Sequence, residues 1–295
     1  MRDAGRMAVR HLGSDEARAA ATHHHYLSRP GRTVEEIAAG LVGLHTTSPV
    51  TPYLSLRARL PGFTRQDLDD LMWHRWRMIR FRAMRTTMFV FPTDVVQVAA
   101  AATGHLLDDL TQRWLRDSGL SGDEYDGLAA SVAAALADGP LTVRALRTVL
   151  DVPPSVDLPG VVGRMCDAGV LVGGAAPRSW RSPVREYHRW IDVLGDVDLD
   201  HWDEEPAIRE LIRRYAESYG PVTLSDMSWW TGMTKRRCRE ALDALGDAVE
   251  EVSVDGWPGP LYRIADSVAD VPVMTRVAAL PLLDPYVQGY RDRAR

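Results

Sequence analysis

The residues of this chain whose types and spacing could do chemistry are its arginines, and the chemistry they suggest is the holding of phosphate. Arg57, Arg59, Arg65, Arg75, Arg77, Arg80, Arg82 and Arg85 fall in one stretch whose only counter-charges are Asp67, Asp69 and Asp70. A second cluster comprises Arg178, Arg181, Arg185 and Arg189; a third comprises Lys235, Arg236, Arg237 and Arg239. A guanidinium presents a fork of N–H donors that matches phosphate oxygens. The net charge is nevertheless -5, with acidic residues concentrated from Asp192 to Glu205, so the chain is not a generic polycation. Three clusters on one face would hold a polyanion. On separate faces, each would be an ordinary solvated helix surface.

The remaining chemistry-bearing residues exclude more than they suggest. His23-His24-His25 resembles a metal-binding run, but three adjacent side chains splay around a helix and cannot face one ion, so no metal is expected. Cys166 and Cys238 lack a spaced Cys/His partner set and read as small buried fillers. Trp229-Trp230 could stack on bases, although in a short helix one of the pair must face the core. Phosphate-loop glycines, a nucleophile elbow and HExxH are absent. No cofactor is expected.

The elements that would position these residues are mostly helices. At 295 residues, with 45% apolar and 25% charged residues, the chain is long enough for two or three globular domains. Its apolar runs stop short of the roughly 20 residues of a membrane span, and no apolar signal core follows the first residues. The expectation is a cytoplasmic, monomeric protein without membrane association.

From Ala207 to Asp266 the pattern is three helices and a hairpin. Ile208, Leu211, Ile212 and Tyr215 form one helical stripe. Gly220-Pro221 stops it. Thr223 or Ser225 caps a short second helix, and Gly232 turns the chain. Thr234 caps the third helix, which carries Lys235, Arg236 and Arg237. The runs 249–254 and 261–266, joined by Asp-Gly-Trp-Pro-Gly-Pro, read as a β-hairpin. This is the winged-helix plan, with the third helix in the recognition position.

The plan recurs at 124–189. Gly139-Pro140-Leu141-Thr142 matches Gly220-Pro221-Val222-Thr223, which points to duplication. A diverged third copy fits the N-terminal part. There, Thr33 and Glu36 suggest a capping box opening a helix over 33–45. A helix follows around Tyr53–Leu60, then one capped by Thr64, then β-structure over 78–92 with Met84, Thr86, Met88 and Val90 alternating. The fold expected is mainly α with small β-hairpins, an α+β protein of three tandem winged helices. The divisions are 1–118, 119–200, 201–272 and a short piece, 273–295.

The strings GLVGLHTTSPVTPYLSLRARLPGF (40–63), MRTTMFVFPTDV (84–95) and LPLLDPYVQGYRDR (280–293), with the two Gly-Pro turns, resemble tandem winged-helix DNA glycosylases of the AlkZ and AlkX type. The resemblance implies three winged helices around a DNA channel and hydrolysis of the N-glycosidic bond of bulky alkylated or crosslinked purines in double-stranded DNA. It also implies a catalytic Gln-apolar-Gln or Gln-apolar-Asp triplet at the end of the first long helix. In this sequence that position reads His45-Thr46-Thr47, and the family's Arg-Gly-Thr-x-His strand reads Arg85-Thr86-Thr87-Met88-Phe89.

On this reading His45 and Thr47 sit at the scissile sugar. Arg57, Arg59, Arg82 and Arg85 hold nearby phosphates, joined by Arg181, while Lys235, Arg236 and Arg237 grip the flanking duplex. The changed triplet leaves a second reading open, a non-catalytic DNA-binding or regulatory protein on the same scaffold. A third is a protein-interaction module with solvated Arg clusters. Family members continue into a C-terminal β-rich domain, so the resemblance implies that this sequence carries that domain truncated or not at all, and Tyr286 and Tyr290 are expected to be exposed.

Overall fold

A computed structural model describes residues 9–176, 179, 181, 182, 184–265, 271, 274 and 277–292. Arg178 of the second basic cluster and Asp266 of the last strand-like run lie outside the described residues. The chain opens with β1 (Arg10–Leu12) and α1 (Ser14–His24). The first winged unit then comprises α2 (Val34–Gly40), β2 (Leu44–His45), α3 (Thr51–Arg57), α4 (Arg65–Trp73), β3 (Met78–Arg82) and β4 (Met88–Pro92). A long helix, α5 (Thr93–Ser118), ends at Gly119 in the left-handed conformation.

The second unit comprises α6 (Gly122–Ala135), β5 (Leu141–Thr142), α7 (Val143–Val149), α8 (Leu158–Asp167), β6 (Leu171–Gly173) and β7 (Glu186–Arg189). After α9 (Trp190–Leu194), the third comprises α10 (Glu204–Tyr219), α11 (Leu224–Thr231), α12 (Lys235–Asp243), β8 (Val249–Val254) and β9 (Leu261–Ile264). A final turn of helix is α13 (Pro285–Gln288).

The repeated Gly-Pro-[Leu/Val]-Thr string has a local job in each copy. Leu141 pairs with Tyr187, and Val222 bridges Tyr262, so in both copies the apolar residue joins the edge of the unit's sheet. The Thr then caps the next helix: Thr142 accepts from the Ala145 N–H at 3.2 Å, and Thr223 from the Asp226 N–H at 3.1 Å. In the first unit Leu44 and His45 fill the same two places, paired with Val90 and Phe89. His45 therefore stands where its counterparts carry a capping threonine.

The backbone corrects two local expectations. The helix expected over 33–45 stops at Gly40 because Val42 and Gly43 take φ of 54° and 95°. A Cβ on Gly43 would also collide with the Phe91 ring. The run 78–92 is likewise not one alternating strand. It is a hairpin whose turn, at Met84–Thr86, puts Arg85 and Thr86 at φ of 53° and 54°.

The units are joined by packing rather than strung as beads. One face of the β2-β4-β3 sheet presents Leu44, Val90 and Met78 to α2, α3 and α4. The other presents Phe81, Phe89 and Phe91 to a core shared with α5, α9 and α10. Helix α5 packs on α10, and its buried positions include the small residues Ala99, Ala102 and Thr103. β1 pairs parallel with β8, so the N-terminal strand belongs to the sheet of the third unit. Among the described residues, no helix is long and apolar enough to cross a membrane.

The C-terminal string is stitched into this arrangement by a buried ion pair. Arg59 Nη1 and Nη2 donate to Asp284 at 2.8 and 2.7 Å, and both side chains are sealed from solvent. Arg59 Nε donates to the His25 carbonyl at 2.8 Å, and Nη1 also donates to the Ser55 carbonyl at 2.9 Å. Ser55 Oγ donates to Asp284 at 2.7 Å. Arg59 is thus no phosphate ligand, contrary to its expected role, because no face of its guanidinium reaches water. Tyr286 and Tyr290 are part-buried rather than exposed: Tyr286 packs on His25 with ring centroids 5.4 Å apart, and Tyr290 Oη donates to the Tyr219 carbonyl at 3.0 Å.

Removing one member of a buried pair leaves the other uncompensated, at a cost of about 3–5 kcal/mol. Arg59→Met and Asp284→Leu are each expected to lower the stability measured by denaturant unfolding by that much. The double variant should be less destabilised than the sum of the two. Strict additivity of the two losses would mean that Arg59 and Asp284 do not stabilise the fold as a pair.

Candidate nucleic-acid interface

His45, Arg85 and Trp229 come from different parts of the chain and meet where the first and third units touch. β2 places the His45 ring against Phe89, centroids 5.1 Å apart and edge-on, in the row His45–Phe89–Phe81. The Thr46 N–H donates to the Met88 carbonyl at 2.8 Å, which continues the pairing past β2. Thr46 is buried and Thr47 is exposed. The expected helix-terminal setting of this triplet is therefore replaced by a strand end, because Val42 and Gly43 have already turned the chain.

The β3–β4 turn carries Arg85 in a backbone region that costs a non-glycine residue about 1–3 kcal/mol. The turn is fastened by its own hydroxyls: Thr86 Oγ1 donates to the Arg85 carbonyl at 2.7 Å, and Thr87 Oγ1 to the Met84 carbonyl at 3.0 Å. Arg85 lays its guanidinium 3.9 Å over the Trp229 ring. A Cβ on Gly232, which ends α11 at φ 84°, would lie 3.1 Å from the Arg85 nitrogen. Glycine thus lets the third unit close on the hairpin. Trp230, the neighbour of Trp229, faces the core and stacks on Tyr215 at 4.6 Å.

Burial first, and the Arg85 charge second, pull the His45 pKa down to about 4. The imidazole is neutral at pH 7, and its Nδ1 is buried without a hydrogen-bond partner among the described residues. A neutral ring offers an acceptor lone pair as well as an N–H. The pair can therefore present an uncharged acceptor beside a fixed cation.

The other expected contacts divide by burial. Arg57 and Arg181 are exposed. Arg82 is drawn into an ion pair with Asp167 at 2.9 Å and donates to the Thr86 carbonyl at 3.1 Å, so it ties β3 to α8. Its side chain keeps 26% of its surface exposed, so a phosphate contact there remains sterically open. Lys235 and Arg236 stand exposed at the start of α12, with Arg236 on Glu240 at 2.6 Å. Arg237 pairs with Glu204 and Glu205, each at 3.0 Å. Exposed pairs of this kind contribute about 0–1 kcal/mol and yield readily to a phosphate.

Sequence reasoning missed Trp229 as the platform for Arg85, and no sequence signal pairs them. It also missed the acidic partners, of which only the i,i+4 spacing of Arg236 and Glu240 was open to view.

The pKa of His45 has a measurable consequence. The folded state resists a proton that the unfolded chain takes up near pH 6.5. Its contribution to stability is complete above that pH and is lost as pH falls toward 4. Thermal midpoints recorded from pH 7 to pH 4 should fall less steeply for His45→Gln than for the unchanged protein. Parallel curves would place the His45 pKa near its ordinary value.

The comparisons with known proteins give the family and the fold. The family model described as DNA glycosylase AlkZ-like matches residues 38–295. The solved structure of Streptomyces sahachiroi DNA glycosylase AlkZ is similar, with a TM-score of 0.75 and 19% identity, covering 94% of this chain and 77% of that one. No curated protein matches the sequence.

Proposed function

From the premise that this chain belongs to the AlkZ-like DNA glycosylase family, we propose that it binds duplex DNA and releases an N-alkylated purine, with His45 at the reacting sugar. The observation that carries this reading is a neutral, buried imidazole at the triplet position, next to a cation fixed on an aromatic ring.

An N7-alkylated purine is already cationic, so it departs as a neutral base and needs no strong acid. The C1′–N9 bond breaks with its electron pair going to the base, and oxocarbenium character develops on the sugar. Water attacks C1′ and passes a proton to the neutral His45, which returns it to solvent. With a pKa near 4, His45 is a weak base, so its share is mainly to orient the water, helped by the exposed Thr47 hydroxyl. Burial and Arg85 are the influences that set this pKa, and no carboxylate is among them. A base that leaves without electrostatic help from a fixed anion is the substrate that suits such a site.

Arg85, Arg57 and Arg181 would take phosphates around the site, while Lys235, Arg236 and Arg237 would hold the flanking duplex. Each phosphate contact contributes about 0.9 to the slope of log affinity against log salt. An exposed ion pair to Glu240, Glu204 or Glu205 is a small obstacle to that exchange.

The test is release of the modified base from a duplex carrying one N7-alkylguanine. His45→Ala is expected to slow release by about 10²-fold, the low end for a positioned acid–base group, with duplex binding retained. Absence of release from the unchanged protein, with salt-sensitive binding intact, would assign it the non-catalytic DNA-binding role. A salt-independent association would count against DNA as the partner altogether.

A further inference from the structure

Arg80 lies in the middle of β3, in the row Leu44–Val90–Arg80, on the face of the first sheet opposite His45. Among the described residues its buried Nε has no hydrogen-bond partner and no carboxylate pairs with it. The charged groups acting on it are two more arginines, Arg185 and Arg82. Arg82 is already taken by Asp167, which Arg164 also engages at 2.9 Å.

Arg185, on the segment entering β7, is only 7% exposed. Its one hydrogen bond among the described residues is a long one, 3.5 Å, to the Gly174 carbonyl, and its guanidinium sits 5.3 Å from the Trp73 ring. The carboxylate that acts on it, Asp69, is held by Tyr53 at 2.6 Å and by Arg65 at 3.3 Å. Arg185 is therefore buried, and Arg80 half-buried with its Nε sealed, at the seam between the first and second units, and neither has a carboxylate hydrogen-bonded to it among the described residues.

Withdrawing a cation from water without a partner is unfavourable, and a like charge beside it makes it more so. Burial and the Arg185 charge push the Arg80 pKa down to about 10, which still leaves it charged at neutral pH. Such an arrangement is stable when an anion with several acceptor oxygens completes it, and guanidinium groups favour phosphate.

We propose that Arg80 and Arg185 form a phosphate-binding site at the junction of the first and second units. The site is separated by the sheet from His45, so its occupant is not the reacting nucleotide, and it stands whether or not His45 is catalytic. The phosphate belongs either to a free anion or to the backbone of bound DNA.

Thermal unfolding of the full chain in inorganic phosphate, with ionic strength held constant by chloride, is the first arm. Duplex affinity as a function of salt is the second. Arg80→Met and Arg185→Met, on different segments, guard against one variant failing to fold. In chloride both are expected to melt at or above the unchanged protein, because each removes a buried like charge.

For a free anion, phosphate raises the melting temperature of the unchanged protein saturably, and both variants lose that rise. For a DNA phosphate, that rise is absent and the salt slope falls by about one in each variant. Variants that respond to phosphate and to duplex as the unchanged protein does would overturn the proposal. Failure of the unchanged protein to bind duplex would sink the proposed function while the phosphate arm still decides this site.

Discussion

A guanidinium sealed from water has to find its acceptors inside the protein, and Arg59 finds one on the neighbouring helix turn and two on segments distant in sequence. The His25 carbonyl closes α1, the Ser55 carbonyl belongs to α3, and the Asp284 carboxylate precedes α13. Each acceptor fixes a direction as well as a distance, because the fork of donors is planar. The N-terminal helix, the first unit and the C-terminal string are therefore set against one another by one side chain. The surrounding hydrogen bonds depend on that setting: Tyr215 Oη reaches the Gly289 carbonyl at 2.6 Å, and the Arg291 N–H reaches Asp226 at 3.0 Å. A hydrophobic contact could have supplied comparable stability, but it would not have specified the angle at which the segments meet.

With the C-terminal string anchored on both the first and third units, the β3–β4 hairpin becomes the place where those units touch near His45. The left-handed backbone at Arg85 is the local cost of the turn. Two threonine hydroxyls, the Trp229 ring and the clearance left by Gly232 offset it. The same contact holds the Arg85 charge where it helps keep His45 unprotonated. Packing between units and the electrostatics of the site are thus one arrangement. A change at Gly232 would alter both.

The repeated plan was legible because it is written in local chemistry. Gly-Pro stops, capping threonines and apolar stripes act within a few residues, and the hairpin at 249–264 followed from two strand-like runs and the turn residues between them. What could not be read was tertiary. Arg59 and Arg57 sit two residues apart in one cluster, yet one is buried on Asp284 and the other faces solvent. Nothing in the sequence around Arg59 announces a partner 225 positions away. The pairing of β1 with β8 joins segments from opposite ends of the chain and has the same character. His45 was visible as a residue but not in its setting, because the strand was hidden inside a string that reads as helix until Val42 and Gly43 adopt positive φ.

The setting of His45 also bears on why its chemistry could survive a change of residue type. The Gln-apolar-Gln form of the family's pattern, as the sequence resemblance implies it, relies on uncharged amides, and a histidine in water would be partly cationic near neutral pH. A cation there would repel both a positively charged base and the oxocarbenium character that follows its departure. Burial and Arg85 remove that difficulty by holding the imidazole neutral. Arg85 itself brings a positive charge, but the Trp229 ring fixes where that charge lies. A backbone phosphate arriving with the duplex would neutralise it. In the proposed reaction, then, the quantity preserved is the absence of charge at the acceptor, and it is preserved by desolvation rather than by the identity of the side chain.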